Sequence, residues 1–324
     1  MNIWEAFQQL DFEILYKIEK IPKKQLEKEG ETILNFAIEQ QAPLEIIEIL
    51  IKKKANPNSI NHFGRNALHI AIINSAGIDI IDCLLNSGVS INQQDQKSKT
   101  AFHYSIIYLE KPSRIGVIKY LIEKNADIFA KTKFEETALH FACKKKSLKV
   151  IKLLIEEGLD VNSKTIYNES PLHFACQWSS LEIIEYLIQI GADVFEKTNF
   201  FETVLHFACR SNSLQIVKYL VEKGVDLNAR TFKNETVLHF VCRSNSLQIV
   251  KYLVEKGVDL NTRTFNNETV LHFACRSNSL QIVKYLVEKG VDLNGRTFKN
   301  ETVLHFACRS NSLDVIQFLI EKRC

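Results

Sequence analysis

The 324-residue chain contains few of the residues that interrupt regular structure, with only 11 glycines and 5 prolines. That scarcity leaves no room for long flexible linkers, which are rich in glycine, serine or proline. No stretch approaches 18 consecutive apolar residues, so the sequence holds no candidate transmembrane helix. The N-terminal segment lacks the cationic start and apolar run of a secretory signal peptide. We therefore expect a cytoplasmic or nuclear protein that is not secreted and does not insert into membranes.

Neither sign of charge is in marked excess. The sequence has 41 lysines and arginines against 38 aspartates and glutamates, which gives a formal net charge of +3. A net charge this small provides no general attraction to nucleic acids or to membrane surfaces. Hydrophobic residues make up 46% of the chain, enough for an extensive core. A chain of this length ordinarily predicts two or three globular domains, unless it is built from repeats.

Internal repetition is the dominant feature of the sequence. Residues 202–300 form three nearly identical blocks of 33 residues, and a histidine marks the same place in each. Going back from these blocks, the marker recurs at intervals of 33 to 37 residues, with an asparagine in the first unit. The markers are Asn35, His69, His103, His140, His173, His206, His239, His272 and His305. A fixed period of this length predicts nine stacked units, because no single unit can bury its own apolar face.

The block at 235–267 can be interpreted residue by residue as helix, turn, helix and projecting loop. Thr236 stands where a helix N-cap is expected, and Leu238, Val241 and Cys242 fall on one helical face. Ser246 is placed to cap a second helix with its own apolar face.

Two further positions predict left-handed backbone at the ends of this unit. Gly257 follows the second helix, where the chain must leave the helical path. Asn267 lies at the turn of the projecting loop, and asparagine tolerates the left-handed conformation better than most residues.

The unit resembles an ankyrin repeat over about residues 31–324. The motif at 170–173 reads Ser-Pro-Leu-His, a Leu-rich helix follows at 181–190, and the segment at 191–194 reads Gly-Ala-Asp-Val. This resemblance implies an all-α solenoid of stacked helix-turn-helix units with projecting hairpins. It also implies that the marker histidine ties the capping threonine to the neighbouring loop. The last four units depart from the pattern in having valine in place of proline, which does not threaten the fold.

The domain organisation follows from these units. We interpret residues 1–30 as a degenerate N-terminal cap, since solenoid ends need a polar outer face, and a separate docking helix is the alternative. Residues 31–324 form the array of nine units, the last of which is truncated. An insertion around 111–114 in the third unit is interpreted as a tolerated surface loop, with a binding feature as the alternative.

Six cysteines occupy the same position in their units, three residues after the marker histidine: Cys143, Cys176, Cys209, Cys242, Cys275 and Cys308. A His-x-x-Cys pair on one helical face supplies two metal ligands, but no second pair completes the set within a unit. This position in the repeat suits a small buried residue, and a cysteine thiol behaves as a small hydrophobe. We therefore predict buried reduced thiols, no metal site and no cofactor.

Catalysis finds no support, because the His–Cys pairs recur identically whereas an active site is a single constellation of different residues. The resemblance implies a non-enzymatic protein–protein interaction scaffold or adaptor. The alternative is the regulatory ankyrin region of a larger enzyme or channel assembly. We expect a monomer that binds a protein partner of unknown identity.

The candidate partner-binding residues lie at the hairpin tips and the turns between helices, on the side that the resemblance makes concave. They are Phe232, Lys233, Arg243, Arg263, Phe265, Arg276, Arg296 and Phe298, with Trp178 as a further candidate in the turn of the fifth unit. Stacked arginines could attract nucleic acid. The repeated glutamates beside them favour a mutually neutralised surface of weak ion pairs instead. For a protein partner, arginine and phenylalanine are both over-represented in interfaces.

Overall fold

The computed structural model describes residues 27–28, 31–109 and 114–322. Within them the chain forms eighteen α-helices in nine consecutive pairs. A small antiparallel hairpin of strands β1 (Glu27–Lys28) and β2 (Glu31–Thr32) precedes the first pair. The predicted cap over residues 1–30 lies outside the described residues, apart from 27–28. Most of the insertion at 111–114 and Cys324 lie outside them as well.

The helix pairs belong to two compact bodies, which meet in sequence between residues 159 and 160. The first body contains α1 (Ile33–Glu39), α2 (Leu44–Lys52), α3 (Ala67–Ile73), α4 (Ile78–Asn86), α5 (Ala101–Ile107), α6 (Ile115–Glu123), α7 (Ala138–Lys144) and α8 (Leu148–Glu156). The second contains α9 (Pro171–Trp178), α10 (Leu181–Gln189), α11 (Val204–Ser211), α12 (Leu214–Glu222), α13 (Val237–Arg243), α14 (Leu247–Glu255), α15 (Val270–Arg276), α16 (Leu280–Glu288), α17 (Val303–Arg309) and α18 (Leu313–Glu321). Each body is an all-α stack in which every pair packs on the next, as the repeats predict.

The first helix of each late unit starts at a capping box between a threonine and the marker histidine. In α13 the backbone N–H of Thr236 donates to Nδ1 of His239 at 3.1 Å, and the threonine hydroxyl lies 3.0 Å from the same nitrogen. A backbone N–H can only donate, so Nδ1 is the acceptor and the neutral ring carries its proton on Nε2. The prediction that Thr236 is the N-cap is confirmed.

The second helix of the unit starts differently. Ser246 is the N-cap residue of α14, but its side chain makes no capping hydrogen bond, so that part of the prediction is wrong. Its ψ of 88° differs from the 169° of the capping residue Thr236, so its backbone does not have the extended geometry of a side-chain cap. The helix ends as predicted, with Gly257 in the left-handed region at φ 83°.

The core lies between consecutive helix pairs. Leu238, Val241 and Cys242 of α13 are completely buried, as is Leu253 of α14. Helix α13 packs on α11, α14 and α15. The predicted apolar faces are therefore confirmed, and each is covered by the partner helix of its own unit together with the neighbouring units.

Arg114 is the residue of the 111–114 insertion that the structure describes. Its side chain is buried, and Nη2 donates to the backbone carbonyl of Ile72 at 2.9 Å. A buried guanidinium needs hydrogen-bond acceptors inside the protein, and Nη2 finds one on a neighbouring unit of the first body. The last residue of the insertion is thus part of the packing between units.

Asparagines at the hairpin turns join successive units. Asn267 adopts the predicted left-handed conformation, with φ 61°. Its Nδ2 also donates to the backbone carbonyl of Arg296 in the next hairpin at 2.6 Å. Asn234 makes the same bond to the carbonyl of Arg263 at 2.7 Å. The asparagine that the sequence analysis treated as tolerated is therefore also a cross-link between hairpins.

Candidate functional site

The hairpin tips of the second body form a hydrogen-bonded row. The backbone N–H of Phe232 donates to the carbonyl of Phe200 at 2.7 Å, and that of Phe265 donates to the carbonyl of Lys233 at 3.1 Å. The N–H of Phe298 continues the row at 3.1 Å to Asn266. These bonds hold three phenylalanines in register while leaving their side chains 62%, 63% and 78% exposed.

Near the end of the first helix of each late unit, an arginine packs against the phenylalanine of its own helix. In all but the last unit it also packs against the equivalent phenylalanine of the next unit. The guanidinium carbon of Arg243 is 5.4 Å from the ring centroid of Phe240 and 4.9 Å from that of Phe273. The alternation runs through four units as Phe207, Arg210, Phe240, Arg243, Phe273, Arg276, Phe306 and Arg309, which we call the arginine–phenylalanine stack. Guanidinium groups within about 6 Å of a ring centroid are attracted to the ring face.

Each arginine of the stack also pairs with the glutamate that precedes the capping threonine of its own unit. Arg243 lies 2.7 Å from Glu235, whose side chain is largely buried. The equivalent pairs are Arg210–Glu202, Arg276–Glu268 and Arg309–Glu301. The stack is therefore neutralised along its length. Of the two interpretations left open by the sequence, the geometry of these residues favours paired charges over a free basic ladder.

The arginines of the hairpin strands have other partners. Arg263 lies 3.5 Å from Asp292 of the next unit, and Arg296 donates to the side chain of Asn300 at 3.0 Å. Lys233 differs from them: in the part of the chain that the structure describes, no carboxylate lies within 4.0 Å of its ammonium group. It is exposed at the tip, beside Phe232.

A groove of about 410 Å³ opens between the hairpin tips and the first helices of the sixth and seventh units. Its lining residues, which define the tip groove, are Phe200, Glu202, Arg210, Thr231, Phe232, Lys233, Glu235, Phe240 and Arg243. Three of the sequence-predicted candidates, Phe232, Lys233 and Arg243, thus meet at one place. Phe265, Arg276 and Phe298 hold the equivalent positions in the following units.

Trp178 does not line this groove. It is the last residue of α9, so its predicted place in the turn is wrong. Its side chain is 43% exposed.

The marker histidines serve the fold. Burial lowers the pKa of His239 to about 4, and the backbone carbonyl of Glu268 opposes this effect only in part. In the first body, Nε2 of His69 lies 3.1 Å from the carbonyl of Lys99 in the next hairpin. His69 thus ties its capping residue, Asn66, to the neighbouring loop. In the second body Nε2 of His173, His206, His239 and His272 makes no hydrogen bond within the usual distance, so the implied tie is present there only on the side of the capping residue. Among the described residues, no group of three or more histidine, cysteine or acidic side chains could hold a metal ion.

The cysteine at this repeat position is buried in five of the six units that carry it. Burial raises the pKa of the Cys242 thiol well above its ordinary value. The prediction is wrong for Cys308, which is exposed. In the second body the cysteine-bearing helices α9, α11, α13 and α15 each pack on the first helix of the following pair, and no helix pair follows α17 and α18 within the described residues.

Phe200 and Phe240 are the site residues that the sequence analysis missed. Phe240 is almost completely buried, so its contribution to the tip groove is the edge that Arg243 leaves uncovered. A signal for the stack was present, because phenylalanine and arginine recur three residues apart in each late unit and such residues share a helical face. Phe200 stands one place later in its hairpin than the other tip phenylalanines, and its signal was the recurrence of an aromatic residue at Phe134 and Tyr167, 66 and 33 residues earlier.

Comparison with known proteins agrees with this geometry. A family model described as ankyrin repeats (3 copies) matches residues 9–95, 34–132, 113–198, 191–264 and 260–324. The chain therefore belongs to the ankyrin repeat family, which indicates a protein–protein interaction domain. A search among curated proteins found no match. In the residues that the structure describes, no helix is long and apolar enough to cross a membrane.

Proposed function

We propose that the chain is a non-enzymatic scaffold or adaptor that binds a protein partner on its tip face. This face comprises the tip groove together with Phe265, Arg276 and Phe298 in the units that follow. The observation that carries the proposal is the row of exposed phenylalanines held in register by backbone hydrogen bonds. Large rigid side chains that are already ordered lose little conformational entropy when a partner covers them.

The other exposed surface of these units offers no comparable contact area. Gln248, Lys251 and Glu255 of α14 are exposed and polar, with the spacing typical of a solvated helix. Truncating aromatic or arginine side chains at an interface usually costs more than truncating lysine or glutamate at its rim. The tip face therefore supports partner binding better than the outer side of the second helices.

The charges on the tip face favour protein over nucleic acid. Nucleic-acid binding gains its affinity from lysines and arginines that neutralise phosphates. The arginines of the stack are already paired with glutamates at close range, so a phosphate would have to displace a carboxylate.

Site-specific photo-crosslinking tests this function. A photoreactive phenylalanine analogue replaces Phe265 in the intact chain, and a matched variant carries it at Lys251. After irradiation in the cells that produce the protein, we expect a discrete protein adduct from position 265 and none from position 251. Adducts of equal yield at both positions, or at position 251 alone, would place the partner on another surface.

A further inference from the structure

The distance between successive units determines the spacing of the contacting residues in any ligand that binds along them. Because the guanidinium of Arg243 lies 5.4 and 4.9 Å from the ring centroids of Phe240 and Phe273, the two rings are at most about 10 Å apart, as expected for packed helices. An extended or polyproline II chain advances about 3.1–3.3 Å per residue. One unit therefore corresponds to about three residues of such a chain, which is one turn of a polyproline II helix.

The residue that follows the tip phenylalanine position in each hairpin differs from unit to unit. It is Tyr167 in the hairpin before the tip groove, Phe200 and Lys233 in the two hairpins that line the groove, and Asn266 in the hairpin after. The tip groove has aromatic walls from two successive hairpins, Phe200 and Phe232, and Lys233 lines the same groove. A large apolar side chain that packs on the Phe200 ring lies one unit away from Lys233, because Phe200 and Lys233 hold the same hairpin position in successive units.

Lys233 is a positive charge of the tip groove with no carboxylate partner among the described residues. Arg210 and Arg243, which line the same groove, are held by glutamates of their own units. Lys233 has no carboxylate within 4.0 Å among the described residues. A carboxylate on a ligand would gain a partner there without displacing one that the protein already supplies.

The backbone beside the tip groove is strained at Phe201. Its φ is 57°, in the left-handed region, where the equivalent residues Asn168, Asn234 and Asn267 have φ of 60–61° and bond to the next hairpin. The left-handed conformation costs roughly 1–2 kcal/mol for residues other than glycine and asparagine. Backbone strain of this kind gathers at functional sites, and here it accompanies the hairpin that presents Phe200.

From these observations we infer that the tip groove binds an acidic peptide segment of the partner in the polyproline II conformation, in which residues three apart lie on the same side. One large apolar side chain of the segment enters between Phe200 and Phe232. A carboxylate three residues away along the segment pairs with Lys233. This inference rests on the proposed function and states which partner chemistry the tip face recognises.

Fluorescence anisotropy with the full chain and short labelled peptides tests the spacing. The probes carry one leucine and one glutamate three residues apart, in either order, with proline and serine filling the remaining positions. Matched controls move the glutamate to four residues from the leucine. We expect one order at the three-residue spacing to bind at least about tenfold more tightly than its four-residue control. Equal affinity at both spacings would overturn the inference.

A charge reversal tests the role of Lys233. K233E should lose at least about tenfold in affinity for the glutamate peptide and should prefer the same peptide with lysine in place of glutamate. K251E, a charge reversal on the outer side of α14, serves as the matched control and should change neither affinity. Circular dichroism checks that both variants keep their helicity. If K233E does not change which peptide is preferred, the pairing is wrong.

Two further outcomes separate the possible failures. A single-stranded RNA that displaces the peptide and binds more tightly would overturn the inference in favour of nucleic acid. If no peptide binds while position 265 still crosslinks to a protein, this inference fails and the proposed function stands. If position 265 yields no adduct either, the proposed function fails with it.

Discussion

Replacing Phe201 with asparagine should stabilise the second body. Phe201 has φ 57° at the hairpin position where Asn234 and Asn267 sit with φ 61°. Each of those asparagines donates to a backbone carbonyl of the next hairpin. In F201N the equivalent acceptor is the carbonyl of Arg230, which lies four residues before Asn234 as Arg263 lies four before Asn267.

Three contributions set the magnitude. Relief of the left-handed strain is worth roughly 1–2 kcal/mol, and asparagine retains a small part of that cost. The new hydrogen bond adds about 0.5–1.5 kcal/mol. Phe201 is 53% exposed, so losing its partial burial costs about 1 kcal/mol. The net expectation is a gain of about 1–2 kcal/mol in the free energy of local unfolding.

Hydrogen exchange at the amide of Phe232 is the local assay, because this N–H donates to the carbonyl of Phe200 in the affected hairpin. A gain of 1–2 kcal/mol slows exchange about 5- to 30-fold when exchange requires local opening. The reciprocal variant N234F introduces the strain one unit later and should accelerate exchange at Phe265. Unchanged or faster exchange at Phe232 in F201N would refute the assignment of strain to Phe201.

The remaining predictions concern the core, the thiols and the histidines. L253A should cost roughly 2–5 kcal/mol because it opens a cavity between units, whereas K251A on the exposed side should cost under about 0.5 kcal/mol in urea unfolding; equal losses would contradict the helix phase. A thiol reagent should label exposed Cys308 well before Cys242, whose burial raises its pKa, and equal rates would contradict that burial. Burial lowers the pKa of His239 from 6.5 to about 4, so between these pH values the unfolded chain binds a proton that the folded chain does not. The free energy of unfolding should therefore fall as pH falls from 6.5 toward 4, and H239Q should weaken that dependence.

The sequence was sufficient for the fold because every unit repeats the same local signals. The 33-residue period, the threonine that starts each first helix and the apolar residues at helical spacing all point to one arrangement. Leu238 and Leu253 are buried as that pattern requires. The prediction failed where the burial of a side chain depends on a neighbouring unit. Cys308 is exposed, and no helix pair packs over it within the described residues.

The candidate site was predictable only in part. Exposed tip residues such as Phe232 follow from their place in the repeat, but their partners do not. The pairing of Arg243 with Glu235 and its position between two rings depend on side-chain directions that the repeat pattern leaves open. The left-handed conformation at Phe201 follows only from its register with Asn234 and Asn267, because a phenylalanine by itself gives no signal for that conformation.

The central claim is that the partner binds the tip face, and a pair of double variants tests it most directly. F265A with R243A should weaken binding of the partner captured at position 265 by at least about 2 kcal/mol, roughly thirtyfold in Kd, with unchanged helicity. K251A with Q248A, on the outer side of α14, should leave Kd within about twofold. Loss of binding from the outer pair, with the tip pair unaffected, would contradict the account.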